Sequence, residues 1–318
     1  MSERGGVLAG LRSLRSLGYR LKTIIRDYPD LVANQAALGT FLAALPTDQF
    51  RVPCRDQPLT SRACRQADCG AEYAAWLDRL GLDRVFSRKY WEYTAIARAL
   101  EAAGMLADGR RGVGFGVGRE PLVAAMAVRG CVVVATDLDA GDPRAASWAG
   151  TDQHALSLAG MQQPTVCSSE VLARQVEVRA VDMTAIPSDL TGFDFCWSTC
   201  ALEHLGTIDA GLRFIEASLS CLRPGGIAVH TTELNLDSND ATLASGPTVV
   251  YRGRDFEALQ ARVAALGHCL EPFAVGPPEG VLDRLVDIPP YQYASLLVRI
   301  GKYRATSAVL VLRAGDTA

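Results

Sequence analysis

Three glycines and one aspartate are the residues of this 318-residue chain whose types and spacing most clearly suit binding chemistry. Gly114, Gly116 and Gly118 alternate in the segment GVGFGVG, and Asp137 closes the apolar run CVVVATD. A glycine-rich turn lets the backbone approach a ligand without Cβ collisions. An acid about twenty residues further on lies where the neighbouring strand brings a carboxylate to ribose hydroxyls. The pattern therefore predicts a site for a nucleoside.

A second acid extends this prediction. The run VEVRAVD ends at Asp182, and Met183 follows it. A carboxylate there can accept a hydrogen bond from an adenine amino group, while the methionine covers the face of the ring. The glycine triplet by itself is also compatible with a purely structural turn. A dinucleotide fingerprint would read G-x-G-x-x-G, whereas position 119 of this chain is Arg.

The sequence pattern after residue 112 predicts the strands and helices that carry these residues. Short β-branched runs alternate with helical segments, which predicts an α/β fold with a doubly wound, mostly parallel, seven-stranded sheet. The predicted strands are GVGFGV, CVVVATD, VEVRAVD, FDFCWS, GIAVHTTE, HCLEPFAV and ATSAVLVLRA. No clear crossover helix separates the last two, so the terminal strand is expected to be antiparallel. Ligands of such sheets bind beyond the carboxyl ends of the strands.

With the glycines and the two acids in this order, residues 88–313 resemble the class I S-adenosylmethionine-dependent methyltransferases. The resemblance implies that the three glycines approach the methionine portion of the donor, that Asp137 holds the ribose, and that Asp182 and Met183 border the adenine. FDFCWSTCALEHLG resembles the fourth strand and the loop facing the sulfonium, which assigns Ser198 to the cofactor site. The family commonly has an acid two residues before the first glycine. Here that residue is Gly112, and Glu120 is the candidate substitute for the contact to the methionine amino group.

More narrowly, SRKYWEY, WSTCALEHLG and AVHTTELN resemble an uncharacterised set of bacterial methyltransferases associated with glycan or secondary-metabolite pathways. LRPGGIAVHTTE is similar to the turn that leads into the fifth strand of the larger family. The association with these pathways implies no particular substrate.

The candidate catalytic residues are Glu203, His204 and His230, because methyl transfer requires a positioned nucleophile and a group that takes its proton. Both histidines are expected at adjacent strand ends beside the sulfonium. Glu203–His204 resembles the Glu-His pair of ubiquinone-pathway O-methyltransferases. In the small-RNA 2′-O-methyltransferases a longer Glu-x-x-Glu-His pattern and a later histidine hold a divalent metal, but Cys200 replaces the first of those glutamates here.

Three interpretations of this set stay open. One histidine is a general base whose pKa lies near neutrality. Alternatively, Glu203, His204 and His230 bind a divalent metal, with Glu233 as a fourth candidate; such ligands suit zinc, manganese or iron better than magnesium. In the third interpretation Glu203 and His204 only cap and orient the loop.

The remaining segments are expected to cover the acceptor pocket. Residues 1–105 are interpreted as an N-terminal helical extension, with apolar residues recurring every three or four positions between residues 11 and 25. Residues 106–318 form the predicted methyltransferase domain, with a substrate-covering insertion around 276–304. The candidate substrate contacts are His154, Tyr291 and Tyr293.

Composition and charge bear on which classes of function the chain can have. A formal net charge of −3 gives no basic footprint for nucleic acid, and no apolar run reaches the roughly 18 residues that a membrane span needs. Nine scattered cysteines are typical of reduced thiols in a cytoplasmic protein. Cys54, Cys64 and Cys69 contain no Cys-x-x-Cys pair of the kind that structural zinc prefers. The apolar N-terminal region is compatible with a homodimer.

The favoured function is transfer of a methyl group from S-adenosylmethionine to a hydroxyl of a small molecule such as a sugar or secondary metabolite. A nicotinamide-dependent oxidoreductase on a similar sheet is the first alternative, which the glycine spacing and the lack of an evident Tyr-x-x-x-Lys pair oppose. The second is a non-catalytic S-adenosylmethionine-binding protein, against which the intact Glu203–His204 loop argues.

Overall fold

The computed structural model describes residues 22, 26–34, 37, 60–145, 154–289, 291 and 295–315. Its centre is one ten-stranded sheet in the order β4-β3-β2-β5-β6-β10-β9-β8, with β1 and β7 also paired to β10. The strands are β1 (Arg62–Ala63), β2 (Arg111–Phe115), β3 (Val132–Asp137), β4 (Val176–Ala180), β5 (Phe193–Thr199), β6 (Leu222–Asn235), β7 (Cys269–Leu270), β8 (Val286–Asp287), β9 (Leu297–Ile300) and β10 (Tyr303–Arg313). The helices, numbered along the chain, are α1 (Ala71–Arg79), α2 (Arg88–Ala102), α3 (Leu122–Ala127), α4 (Ser169–Gln175), α5 (Ile208–Leu219) and α6 (Gly253–Ala265).

Strands β2 to β6 are parallel to their neighbours, and β10 pairs antiparallel with β6. This confirms the doubly wound, mostly parallel sheet and its antiparallel terminal strand. The sheet has more strands than the seven expected, because β1, β8 and β9 add two to four residues each. Strands this short carry too few residues for a readable alternation of polar and apolar side chains. The strand order reverses between β2 and β5, which is where ligands of such sheets bind.

Helices cover both faces of the sheet, so its central strands are buried on both sides. Every residue of β5 is buried. Phe195 and Trp197 pack into a core with Trp91 of α2, while Cys196 between them packs into a second core with Phe214 of α5. This alternation follows from the period of two along a strand.

The segment before residue 105 packs on the same sheet. Ala63 of β1 pairs with Ala308 of β10, and α2 packs against β6 and β10. Helix α2 begins with the Ser87 hydroxyl accepting a hydrogen bond from the backbone of Tyr90, and Gly104 follows its end at a φ of +69°. Packing among the described residues is therefore continuous across the predicted boundary at residue 105.

Most of the predicted amphipathic N-terminal helix lies outside the described residues, although residues 26–34 are helical. Cys54 also lies outside them, whereas Cys64 and Cys69 are buried in the core. Within the described ranges, neither cysteine belongs to a group placed to hold a metal. No helix in the described part of the chain has both the length and the apolar character needed to cross a bilayer.

Candidate functional site

A cavity of about 850 Å³ opens at the carboxyl ends of β2, β3 and β5, within the range of roughly 300–1,000 Å³ that small-molecule sites occupy. Two groups of lining residues give it two chemically different ends. We call the first the glycine end: Gly116, Gly118, Glu120, Asp137, Asp182 and Met183. We call the second the carboxylate end: Arg88, Lys89, Cys200, Glu203, His204 and Glu233.

Two of the three predicted glycines line the cavity. Gly116 and Gly118 have φ values of +60° and +50°, a region that side chains rarely adopt. Gly114 lies inside β2 and is not among the lining residues; a Cβ there would approach the Trp197 ring to 2.4 Å. The structure thus places Gly114 in the packing of the sheet, in contrast to the expectation that it approaches the cofactor.

Asp137 is the last residue of β3 and lines the cavity beside this turn. One carboxylate oxygen accepts a hydrogen bond from the Leu138 amide at 2.8 Å, and the other accepts one from Ala155 at 3.4 Å. Burial raises the pKa of Asp137. Because two carboxylate oxygens offer about four lone-pair directions, these two donors leave room for ligand hydroxyls.

Asp182 and Met183 follow β4 and also line the cavity. Asp182 accepts hydrogen bonds from the Thr184 amide and hydroxyl at 2.8 and 2.7 Å, and its second oxygen pairs with Arg144 at 2.7 Å. Burial raises the pKa of Asp182, but Arg144 and Thr184 outweigh it and the pKa is lowered. The carboxylate is therefore ionised and fixed in position. The sulfur of Met183 would lie 3.5 Å from a Cβ at position 116, so it reaches the turn itself.

Glu120 follows the glycine turn and is 5% exposed. Its carboxyl group accepts a hydrogen bond from the indole nitrogen of Trp197 at 2.5 Å. Burial raises the pKa of Glu120 to about 7. A group that lines a cavity and changes charge near neutrality is suited to hold a cationic ligand group.

At the carboxylate end, Glu203 and Glu233 are each held through one oxygen. Oε2 of Glu203 accepts a hydrogen bond from the Thr232 hydroxyl at 3.0 Å. Oε1 of Glu233 accepts one from Arg88 at 2.6 Å, and its Oε2 is buried without a hydrogen-bond partner. Burial raises the pKa of Glu233.

A third carboxylate, Glu92 of α2, lies behind this pair and is fully buried. It pairs with Arg88 at 3.3 Å and Lys89 at 3.2 Å and accepts a hydrogen bond from Ser307. Burial alone would raise the pKa of Glu92, but the two cations outweigh it and the pKa is lowered. The sequence analysis did not identify Arg88 and Lys89 as site residues, because an Arg–Glu pair at i,i+4 is also the pattern of a solvated helix face.

His204 lines the cavity at the end of a short 3-10 helix, Leu202–His204. Its Nδ1 lies 2.8 Å from the carbonyl oxygen of Pro247. Since a carbonyl only accepts hydrogen bonds, Nδ1 carries the proton and the basic lone pair of the ring is on Nε2.

His230 lies elsewhere, and the prediction that it is a base or metal ligand is wrong. It is fully buried, with Nδ1 2.8 Å from the Ser198 hydroxyl and Nε2 3.0 Å from that of Ser218. Burial lowers the pKa of His230 to about 3, so the ring is neutral. Strand β6 continues to Asn235, which puts His230 in mid-strand. Ser198, expected at the cofactor, is fully buried in this contact and is also absent from the cavity lining.

The metal set predicted from Glu203, His204 and His230 is therefore not brought together. In the described part of the chain, the group whose ligand atoms lie within 4.8 Å of one another is Cys200, Glu203 and Glu233. Cys200 is a non-glycine residue at a positive φ, +45°.

Two of the three predicted substrate contacts line the cavity. His154 lies at the glycine end, with Nε2 2.7 Å from the Leu138 carbonyl oxygen. Tyr291 lines the cavity and donates its hydroxyl to the Arg299 carbonyl at 2.6 Å. Tyr293 is outside the described residues.

No protein-family model and no curated protein sequence matches this chain. Solved structures do. An O-methyltransferase family protein from Burkholderia thailandensis is 14% identical, with 76% of this chain and 63% of that chain covered and a TM-score of 0.40. The CcbJ methyltransferase from Streptomyces caelestis is 15% identical, with 68% and 94% covered and a TM-score of 0.38. A SAM-dependent methyltransferase from Aquifex aeolicus is 14% identical, with 69% and 88% covered and a TM-score of 0.37.

Proposed function

We propose that this chain binds S-adenosylmethionine in the cavity and transfers its methyl group to a hydroxyl of a small molecule such as a sugar or secondary metabolite. The observation that supports this most directly is at the glycine end. There the Gly116–Gly118 turn and the Asp137 carboxylate, from the ends of adjacent strands, line one cavity with Asp182 and Met183. In this proposal Asp137 holds the ribose hydroxyls, and Asp182 and Met183 border the adenine.

Glu120 favours this donor over a nicotinamide dinucleotide. It directly precedes Pro121, the N-cap of α3. A dinucleotide places its pyrophosphate at the N-terminus of the helix that follows the glycine turn. An ionised Glu120 would repel that group, whereas it attracts the ammonium of a methionine moiety.

The chemical step is an in-line displacement. The methyl donor supplies an electrophilic carbon on a sulfonium. The acceptor oxygen forms a bond to that carbon as the carbon–sulfur bond breaks, and the electron pair of that bond leaves with the neutral thioether. We assign the acceptor's proton to Nε2 of His204, since the hydrogen bond of Nδ1 to Pro247 fixes the tautomer in which Nε2 is basic.

Calorimetry tests the proposed function without knowledge of the acceptor. We expect S-adenosylmethionine and S-adenosylhomocysteine to bind the full chain at one site, because the glycine end contacts only the parts that both share. NAD and NADP are expected to show no binding at the same concentrations. Binding of a dinucleotide in preference to the sulfonium donor would contradict the proposal, as would failure of both donor and product to bind.

The affinity for S-adenosylmethionine is expected to fall as the pH is lowered through 7. The pKa of Glu120 is raised to about 7 in the unliganded protein, and a bound ammonium stabilises the ionised carboxylate. Binding therefore releases a proton below pH 7, and Kd should rise there by up to about tenfold per pH unit. Titrations at pH 6, 7 and 8 measure this dependence.

The matched variants are Glu120→Gln and Glu177→Gln, the latter on an exposed position of β4. Glu120→Gln should bind more weakly at pH 8 and lose most of the dependence, and Glu177→Gln should behave as the parent. An unchanged pH dependence in Glu120→Gln would exclude the proposed contact.

A further inference from the structure

At the carboxylate end, three side chains from strand β6 and from the loop after the adjacent strand β5 come together. Cys200 and Glu203 follow β5, and Glu233 lies near the end of β6. Their candidate ligand atoms all lie within 4.8 Å of one another. Glu203 and Glu233 are 1% and 4% exposed, which distinguishes them from a solvated acidic cluster.

Each carboxylate is oriented by a donor on one oxygen only. Thr232 holds Oε2 of Glu203 at 3.0 Å, and Arg88 holds Oε1 of Glu233 at 2.6 Å. Oε2 of Glu233 is buried and has no hydrogen-bond partner. A buried, unpartnered carboxylate oxygen is costly unless a ligand completes it. In metal sites, the carboxylates that bind the ion also accept hydrogen bonds from neighbouring protein groups.

Charge also favours a cation at this cluster. Three carboxylates, Glu92, Glu203 and Glu233, lie beside two cationic side chains, Arg88 and Lys89. Excess negative charge in a buried cluster is unfavourable, and a bound divalent cation would offset it.

We propose that Cys200, Glu203 and Glu233 bind one divalent transition-metal ion, with zinc the best match. One thiolate and two carboxylates suit a borderline-soft cation and not magnesium or calcium. Catalytic zinc sites have three protein ligands and leave a fourth coordination position open, whereas structural zinc sites have four protein ligands. The proposed set of three, with its fourth position towards the cavity, is of the catalytic kind. The acceptor hydroxyl occupies this fourth coordination position; that last step rests on the proposed function.

The test measures metal binding directly on the full chain. The protein is stripped with a chelator and titrated with Zn²⁺, and separately with Co²⁺ as a spectroscopic probe. We expect one ion per chain and, with Co²⁺, the near-ultraviolet charge-transfer absorption of a thiolate ligand. Methyl-donor binding is measured on the same samples by calorimetry. A chain that binds the donor but no metal overturns only this inference, and a chain that binds the metal but no donor overturns only the proposed function.

Matched substitutions locate the site. Cys200→Ser should abolish the thiolate absorption and weaken Zn²⁺ binding at least about tenfold, whereas Cys269→Ser, at an exposed cysteine, should change neither. Glu203→Gln and Glu233→Gln should each weaken Zn²⁺ binding at least about tenfold, with Glu177→Gln as the control. Circular dichroism confirms that each variant is folded.

Two measurements on the unsubstituted protein also test the metal site. Absence of stoichiometric Zn²⁺ binding, or a Co²⁺ spectrum without the thiolate absorption, would overturn the inference. Undiminished Zn²⁺ affinity in folded Cys200→Ser and Glu233→Gln would overturn it equally.

Discussion

Replacement of His204 by alanine is expected to lower the rate of methyl transfer by about 10²- to 10⁴-fold while leaving the affinity for S-adenosylmethionine unchanged. His204 lines the carboxylate end, away from the ribose contact of Asp137, and its ring is held by the Pro247 carbonyl with Nε2 as the basic nitrogen. Loss of the ring removes the proposed proton acceptor but no donor contact. Transfer of labelled methyl to an acceptor found by screening sugars and phenols with the parent protein measures the rate.

His268 provides the matched control, since it lies between α6 and β7 and its Nδ1 accepts a hydrogen bond from the backbone of Gly315. His268→Ala should transfer methyl groups at the parent rate. Parent-like turnover in His204→Ala would refute this role.

Replacement of Asp137 by alanine is expected to weaken binding of S-adenosylmethionine by about 100-fold or more. The proposed ribose contact consists of two hydrogen bonds to a charged group, each worth about 1.5–3 kcal/mol, and about 1.4 kcal/mol corresponds to a factor of ten. Isothermal titration of S-adenosylmethionine and S-adenosylhomocysteine should show the same loss, since both carry the ribose.

Asp83→Ala, at an exposed position outside the cavity lining, is the control for this variant. Circular dichroism and thermal melting check that Asp137→Ala is folded, because the carboxylate also receives the Leu138 and Ala155 amides. A folded Asp137→Ala that binds the donor as tightly as the parent does would reject the ribose role.

The sequence-based predictions are wrong where a strand is longer or shorter than its pattern indicates, or where a side chain lies on the other face of its strand. His230 is expected at the end of the predicted strand GIAVHTTE, but that run itself reaches Glu233 and β6 continues to Asn235. That extension puts His230 in the core against Ser198 and Ser218 and brings Glu233 to the cavity instead. Gly114 fits the glycine pattern, yet only the position of the Trp197 ring shows why a side chain is excluded there.

Local patterns in the chain predict the alternation of strands and helices, the antiparallel last strand and the position of Asp137 at the end of β3. These depend on local periodicity and on residues close together in the chain, so no knowledge of distant contacts is needed. Which polar residues meet at the carboxylate end depends instead on three-dimensional packing. Arg88 of α2, Cys200 after β5 and Glu233 of β6 are far apart in sequence, and their proximity depends on how α2 packs against the sheet and on which face each side chain occupies.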